Sequence, residues 1–150
     1  MTQTQGVDPS TMTGMEQLMA MVDGRLPAAP ISETVGLVDF GGEEGAIHVS
    51  LDPEHRHYNP LGTVHGGVLA TMLDTVAGCS VHSTLAVGEG YTSLDLTVKF
   101  LRAVTVDSGR ITATGRVLQR GRRTALAEAQ VHDAAGRLVA HATSSCMIFS

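Results

Sequence analysis

Residues 64–85 read VHGGVLATMLDTVAGCSVHSTL. From Gly67 onward Gly, Ala, Leu, Met and Val occupy nearly every side of a helical projection, and no proline interrupts them. This predicts a helix of about 19 residues, roughly 28 Å long, buried over most of its surface. One residue breaks that character. Between Arg56 and Glu89 the sole Asp, Glu, Lys or Arg is Asp74, in the middle of the helix. Its neighbours one turn away are Ala70, Thr71, Ala77 and Gly78, none of which neutralises a carboxylate. A carboxyl group so placed faces solvent, caps a backbone group, or is kept for chemistry despite the cost of burial.

Upstream of this helix, residues 52–62 hold Pro53, Asn59, Pro60 and Gly62 and read as a loop. Before that loop two strands are expected, about 34–40 and 46–51, joined by the glycine-rich stretch 41–45. A short helix capped by Thr13, with Met15, Leu18, Met19 and Val22 at helical spacing, ends near Gly24. Residues 1–11 read as a polar, frayed lead, and 26–30 as a proline-interrupted connector. Downstream the period changes to two. Leu94, Leu96, Val98 and Phe100 alternate with Ser93, Asp95, Thr97 and Lys99, and strands follow at about 110–117, 123–132 and 137–148. The short connections imply antiparallel pairing, because a parallel crossover needs a dozen or more residues. The fold class is therefore α+β, a long central helix wrapped by a curved antiparallel sheet of about six strands. Ala113, Gly115, Ala125, Ala127 and Ala129 would let helix and sheet approach closely. The whole chain, 1–150, reads as one domain, with 1–30 as its tail and short helix.

Composition narrows the function. The chain has 150 residues and a formal charge of −5, which argues against nucleic acid and anionic membranes as partners. No apolar run reaches the ~18 residues of a membrane span, and the N-terminus lacks a secretory pattern. Cys79 and Cys146 have no CxxC spacing and read as buried thiols of a reducing cytoplasm. His55, His57 and His65 lack a convincing fourth ligand, so no metal is expected. No GxSxG elbow is present, and Cys79 within the apolar helix reads as packing.

Two clusters can carry chemistry beside Asp74. Val64-His65-Gly66-Gly67 leads into the helix, where amide N–H groups are free and the dipole is positive. Glycines there let a carbonyl oxygen approach as in an oxyanion hole, or merely permit a tight turn. Gln119-Arg120-Gly121-Arg122-Arg123 gathers three of the ten basic residues and suits either a solvated turn or a phosphate.

The stretch Asn59-Pro60-Leu61-Gly62-Thr63-Val64-His65-Gly66-Gly67, followed by Asp74, resembles the signature of hotdog-fold acyl-CoA thioesterases of the phenylacetate-degradation (PaaI-like) branch. Lys99-Phe100-Leu101-Arg102, Gly121-Arg122-Arg123 and residues 133–140 resemble the same family, so the similarity spans about 31–148. It implies hydrolysis of acyl-CoA to free acid and CoA, without a separate cofactor. It also implies a homodimer, paired into a dimer of dimers, with sites at the dimer interface. Asp74 would be the catalytic carboxylate, as base or nucleophile, and Gly66 N–H would polarise the thioester carbonyl. Asn59 would position water or the acyl group, and His65 would shape the loop. Ser93, with Thr92 beside it, would orient water from across the interface. Arg120, Gly121, Arg122 and Arg123 would meet the CoA phosphates. Tyr58, Met72 and the residues beside Asp74 are the expected lining of the acyl pocket, together with the facing subunit.

Two other functions fit a hotdog domain. One is an acyl-CoA-binding protein without turnover, against which intact Asn59, Gly66 and Asp74 argue. The other is a hydratase or dehydratase, which needs a His–Asp dyad. His65 lies nine residues from Asp74, about 2.5 turns, on the opposite helix face.

Overall fold

The computed structural model describes residues 6–150. Within the expected polar lead, residues 1–5 lie outside the described residues, and Pro9–Thr11 form a 3-10 turn capped by the Asp8 carboxylate rather than a frayed end. Helix α1, Gly14–Val22, opens on a capping box in which Thr13 Oγ1 accepts from Glu16 N–H and the Glu16 carboxylate accepts from Thr13 N–H. Helix α2, Pro30–Val35, is not expected from the sequence and takes in Thr34 and Val35, the first residues of an expected strand. Pro30 starts it, and Gly36, left-handed at φ 86°, ends it.

Strands β1 (Leu37–Glu43) and β2 (Ala46–Leu51) form the expected hairpin, its turn confined to Glu44 and Gly45. Helix α3, Gly66–His82, is the predicted central helix, 17 residues long. His65 caps its start, and the Ser83 and Thr84 hydroxyls donate to the Ser80 and Val81 carbonyls at its end. The remaining strands are β3 (Gly90–Ser93), β4 (Thr97–Phe100), β5 (Ile111–Arg120), β6 (Thr124–His132) and β7 (Leu138–Phe149).

All seven strands pair antiparallel in the order β1-β2-β5-β6-β7-β3, with β4 also on β7. The count exceeds the expected six because one predicted strand is split. Ser93 opposes Cys146 and Thr97 opposes Thr143, so three residues on the edge face two on β7. This is a bulge. Asp95 fixes it by accepting from Ser145 N–H with its carboxylate and from Ser144 Oγ with its carbonyl.

Helix α3 lies across the concave face. Leu73, Met72, Val76, Ala77 and Val81 are fully enclosed against Val49, Leu51, Ile111, Ala113 and the inward alanines of β6 and β7. A side chain at Gly115 would collide with the Val76 carbonyl oxygen, so helix and sheet are in backbone contact there. Ser80 Oγ accepts from Ile47 N–H in the same layer. This is the hotdog arrangement, with the sheet left open at β1 and at the β3/β4 edge. No helix among the described residues is long and apolar enough to cross a membrane.

Candidate active site

The loop before α3 is built by its own polar groups. His57 is buried, its Nδ1 accepting from Glu54 N–H and its Nε2 2.6 Å from the Val35 carbonyl, which anchors the loop to α2. Tyr58 Oη accepts from Val106 N–H, so this side chain helps to hold the loop. Met72, also expected at the acyl pocket, is instead fully buried in the core. Asn59 Oδ1 accepts from the amides of Leu61 and Thr63, and Nδ2 donates to Thr63 Oγ1. One N–H of the carboxamide is left for another partner.

At the start of α3, His65 Nδ1 accepts from Gly67 N–H at 2.7 Å, and the His65 carbonyl accepts from Val68 and Leu69. Gly66 N–H has no partner among the described residues. Both glycines stand close to neighbouring side chains. A Cβ on Gly66 would touch the Phe100 ring at 3.0 Å, and one on Gly67 would meet His65 Nδ1 at 2.9 Å. A cavity of about 400 Å³ opens here, lined by Asn59, Gly66, Leu69, Phe100 and Arg102 among others. The sequence reading passed over Phe100 and Arg102 as pocket residues. Their adjacency to Gly66 arises from β4 lying beside the helix start, which spacing alone does not encode.

Asp74 stands exposed on α3 in the single chain. Ser93 Oγ lies 3.5 Å from its Oδ1, so these two side chains come together within one chain. The expectation that Ser93 reaches Asp74 from across an interface is thereby corrected. Thr92 points to the other face of β3, opposite Met147, and does not join them. Behind Asp74, burial pushes the Cys79 thiol up to about 12, with the Asp74 charge adding to the effect. At neutral pH such a thiol is protonated and is no nucleophile. Cys79 and Cys146 are both free.

Asp74 and Gly66 are eight residues apart on one helix, about 12 Å of rise. Reacting atoms need to lie within about 3.5 Å of each other. One chain therefore carries two half-sites, a carboxylate with a hydroxyl and an amide with a carboxamide, that do not meet across a single carbonyl.

The basic turn divides in two. Arg120 donates to Glu89 at 2.8 Å and to Thr84 Oγ1, tying the end of β5 to the loop after α3. Gly121 N–H donates to the Thr124 carbonyl. Arg122 and Arg123 are exposed and form no ion pair among the described residues.

Residues 61–140 match the model of the thioesterase superfamily. Acyl-coenzyme A thioesterase 13 of Homo sapiens is 25% identical over 132 residues, which cover 86% of this chain and 93% of that protein. A phenylacetic acid degradation-related protein of Ralstonia eutropha JMP134 has a crystal structure that superposes with a TM-score of 0.78 at 30% identity, covering 87% of this chain and 98% of that one. The PaaI protein of the E. coli phenylacetic acid degradation operon gives a TM-score of 0.78 at 20% identity, covering 91% and 94%, and so shares the fold. With its hotdog sheet, its glycine-led helix and a family match over more than half its length, this chain belongs to the thioesterase superfamily.

Proposed function

We propose that this protein hydrolyses acyl-CoA thioesters to free acid and CoA at a site that two copies complete together. The observation that carries the reading is Asp74, an exposed carboxylate and the sole Asp, Glu, Lys or Arg of α3, with one hydroxyl, Ser93 Oγ, beside it. The name of the human relative, an acyl-coenzyme A thioesterase, supports the same substrate class. The β3/β4 edge is unpaired and carries exposed Leu94, Phe100 and Leu101, a surface suited to a second copy. Docked across that edge, the Asp74 and Ser93 of one copy face the Asn59 and Gly66 of the other.

The chemistry then runs as follows. Gly66 N–H receives the thioester carbonyl oxygen at the positive end of α3 and holds the charge that develops there. Asp74 either takes a proton from an attacking water or attacks the carbonyl carbon itself. In both cases the tetrahedral centre collapses, the C–S bond breaks, and CoA leaves as a thiolate that is then protonated. On the first route the acid is released at once. On the second the acyl group remains on Asp74 as a mixed anhydride that water then hydrolyses to free acid and the regenerated carboxylate. Ser93 and the spare N–H of Asn59 orient the water, and His65 fixes the amide by capping the helix. Arg122 and Arg123 meet the phosphates of CoA, while Arg120 braces their turn through Glu89. The dimers assemble in pairs, and the whole chain acts as one thioesterase domain.

Replacing Asp74 by Asn preserves shape and removes the base. Turnover measured as thiol release from acyl-CoA falls by about 10²–10³-fold, comparable to losing one group that stabilises the transition state. Undiminished turnover in that variant would remove Asp74 from the reaction.

A further inference from the structure

The face of α3 that presents Asp74 continues one turn onward to Gly78, and there it is occupied. The Tyr91 hydroxyl fills the place where a side chain of Gly78 would stand, 2.7 Å from a Cβ built on that residue. Tyr91 sits on β3 two residues before Ser93, on the same face of the strand, opposite Ile148. Its ring meets His82 edge-on at 5.6 Å and 89°. His82 in turn is held by Gln17 of α1, Nε2 to Oε1 at 2.7 Å. The ring is thus braced from the helix, the strand and α1 together. Its hydroxyl has no hydrogen-bond partner among the described residues.

One turn before Asp74 the same helix carries only the small, half-buried side chains of Ala70 and Thr71. A group bound at the Asp74–Ser93 pair therefore meets the braced Tyr91 ring on the side of Gly78.

We propose that Tyr91, seated in the gap left by Gly78, is the end wall of the acyl site and restricts this protein to compact acyl groups. The inference rests on the acyl-CoA reading above and adds the determinant of acyl size. Rejection comes from displacement. An acyl chain longer than the distance from Asp74 to the ring has to move a side chain that three elements hold in place.

The test is binding of two non-hydrolysable thioether analogues, S-butyl-CoA and S-decyl-CoA, to the parent protein, Tyr91→Ala and Tyr91→Phe. Tyr91→Ala raises the affinity for the decyl analogue relative to the butyl one by about tenfold or more, while Tyr91→Phe, which keeps the ring, leaves the ratio near the parent's. A ratio that stays fixed in Tyr91→Ala, or a loss of both analogues in equal proportion as a merely structural residue would give, overturns the end wall. A shifted ratio in a protein that releases no thiol from acyl-CoA keeps the wall and removes hydrolysis instead. Failure of both analogues to bind the parent overturns the acyl-CoA reading and the wall with it.

Discussion

Asp133 illustrates how single side chains hold this fold in register. Its Oδ1 accepts from the amides of Ala135 and Arg137, and its Oδ2 accepts from Arg137 Nε at 2.8 Å. The Arg137 amide, followed by its guanidinium and the Ala135 amide, holds the carboxyl below its ordinary value. A carboxyl group that is more acidic folded than unfolded contributes stability above its unfolded value, near ~3.9, and loses it as pH falls through the folded value. The Asp133→Asn variant is therefore less stable than the parent at pH 7, and the gap in melting temperature closes as the pH drops below the ordinary carboxylate range. A gap independent of pH would mean that shape rather than charge fixes this turn. The turn itself was legible, because Asp133-Ala134-Ala135-Gly136 is turn chemistry on its face. Asp74 was legible for a different reason, as the one charge in a long apolar run. The neighbours of these residues were not. Ser93 beside Asp74, Phe100 over Gly66 and Tyr91 over Gly78 are contacts between strand and helix, and sequence spacing does not report them.

At the scale of elements, the period-two segments and the apolar helix were read with boundaries good to a few residues. The differences have local causes. Helix α2 replaces the start of a strand because Pro30 and the left-handed Gly36 bracket six residues that polar Ser32, Glu33 and Thr34 leave unsuited to the core. The predicted strand through Leu94 splits because the Asp95 carboxylate takes the Ser145 N–H of β7 and its carbonyl takes the Ser144 hydroxyl in place of ladder bonds. The alanine and glycine positions of β5 and β6 were recognised as permitting close approach, and they do form the seat of α3. Gly115 is the tightest point, with the Val76 carbonyl carbon and oxygen and Ser80 Oγ all closer than a Cβ tolerates. Two of those atoms are backbone, so the helix has to lift for a methyl group to fit. Gly115→Ala is expected to lower unfolding free energy by about 1–3 kcal/mol, measured by denaturant titration. Unchanged stability would mean that α3 is free to shift off the sheet, and that the position of Asp74 is less fixed than described.

The whole molecule poses the question that no element answers. Its helix carries a carboxylate at the middle and an open amide at the start, about 12 Å apart along the axis, and each half-site lacks what the other has. A two-fold pairing of copies puts one of each into both sites, since an isologous interface presents every residue twice. Mixed assemblies test this directly. Asp74→Asn removes the carboxylate, and Asn59→Asp keeps the loop's acceptor oxygen while removing the amide N–H. Each variant alone is expected to be nearly inactive. Unfolded together in equal amounts and refolded, half of the pairs are mixed, and each mixed pair holds one intact site out of two. Thiol release from acyl-CoA should then recover to about a quarter of the parent's. Recovery at that level is the predicted result, whereas a mixture as inactive as its two components would contradict a site shared between copies.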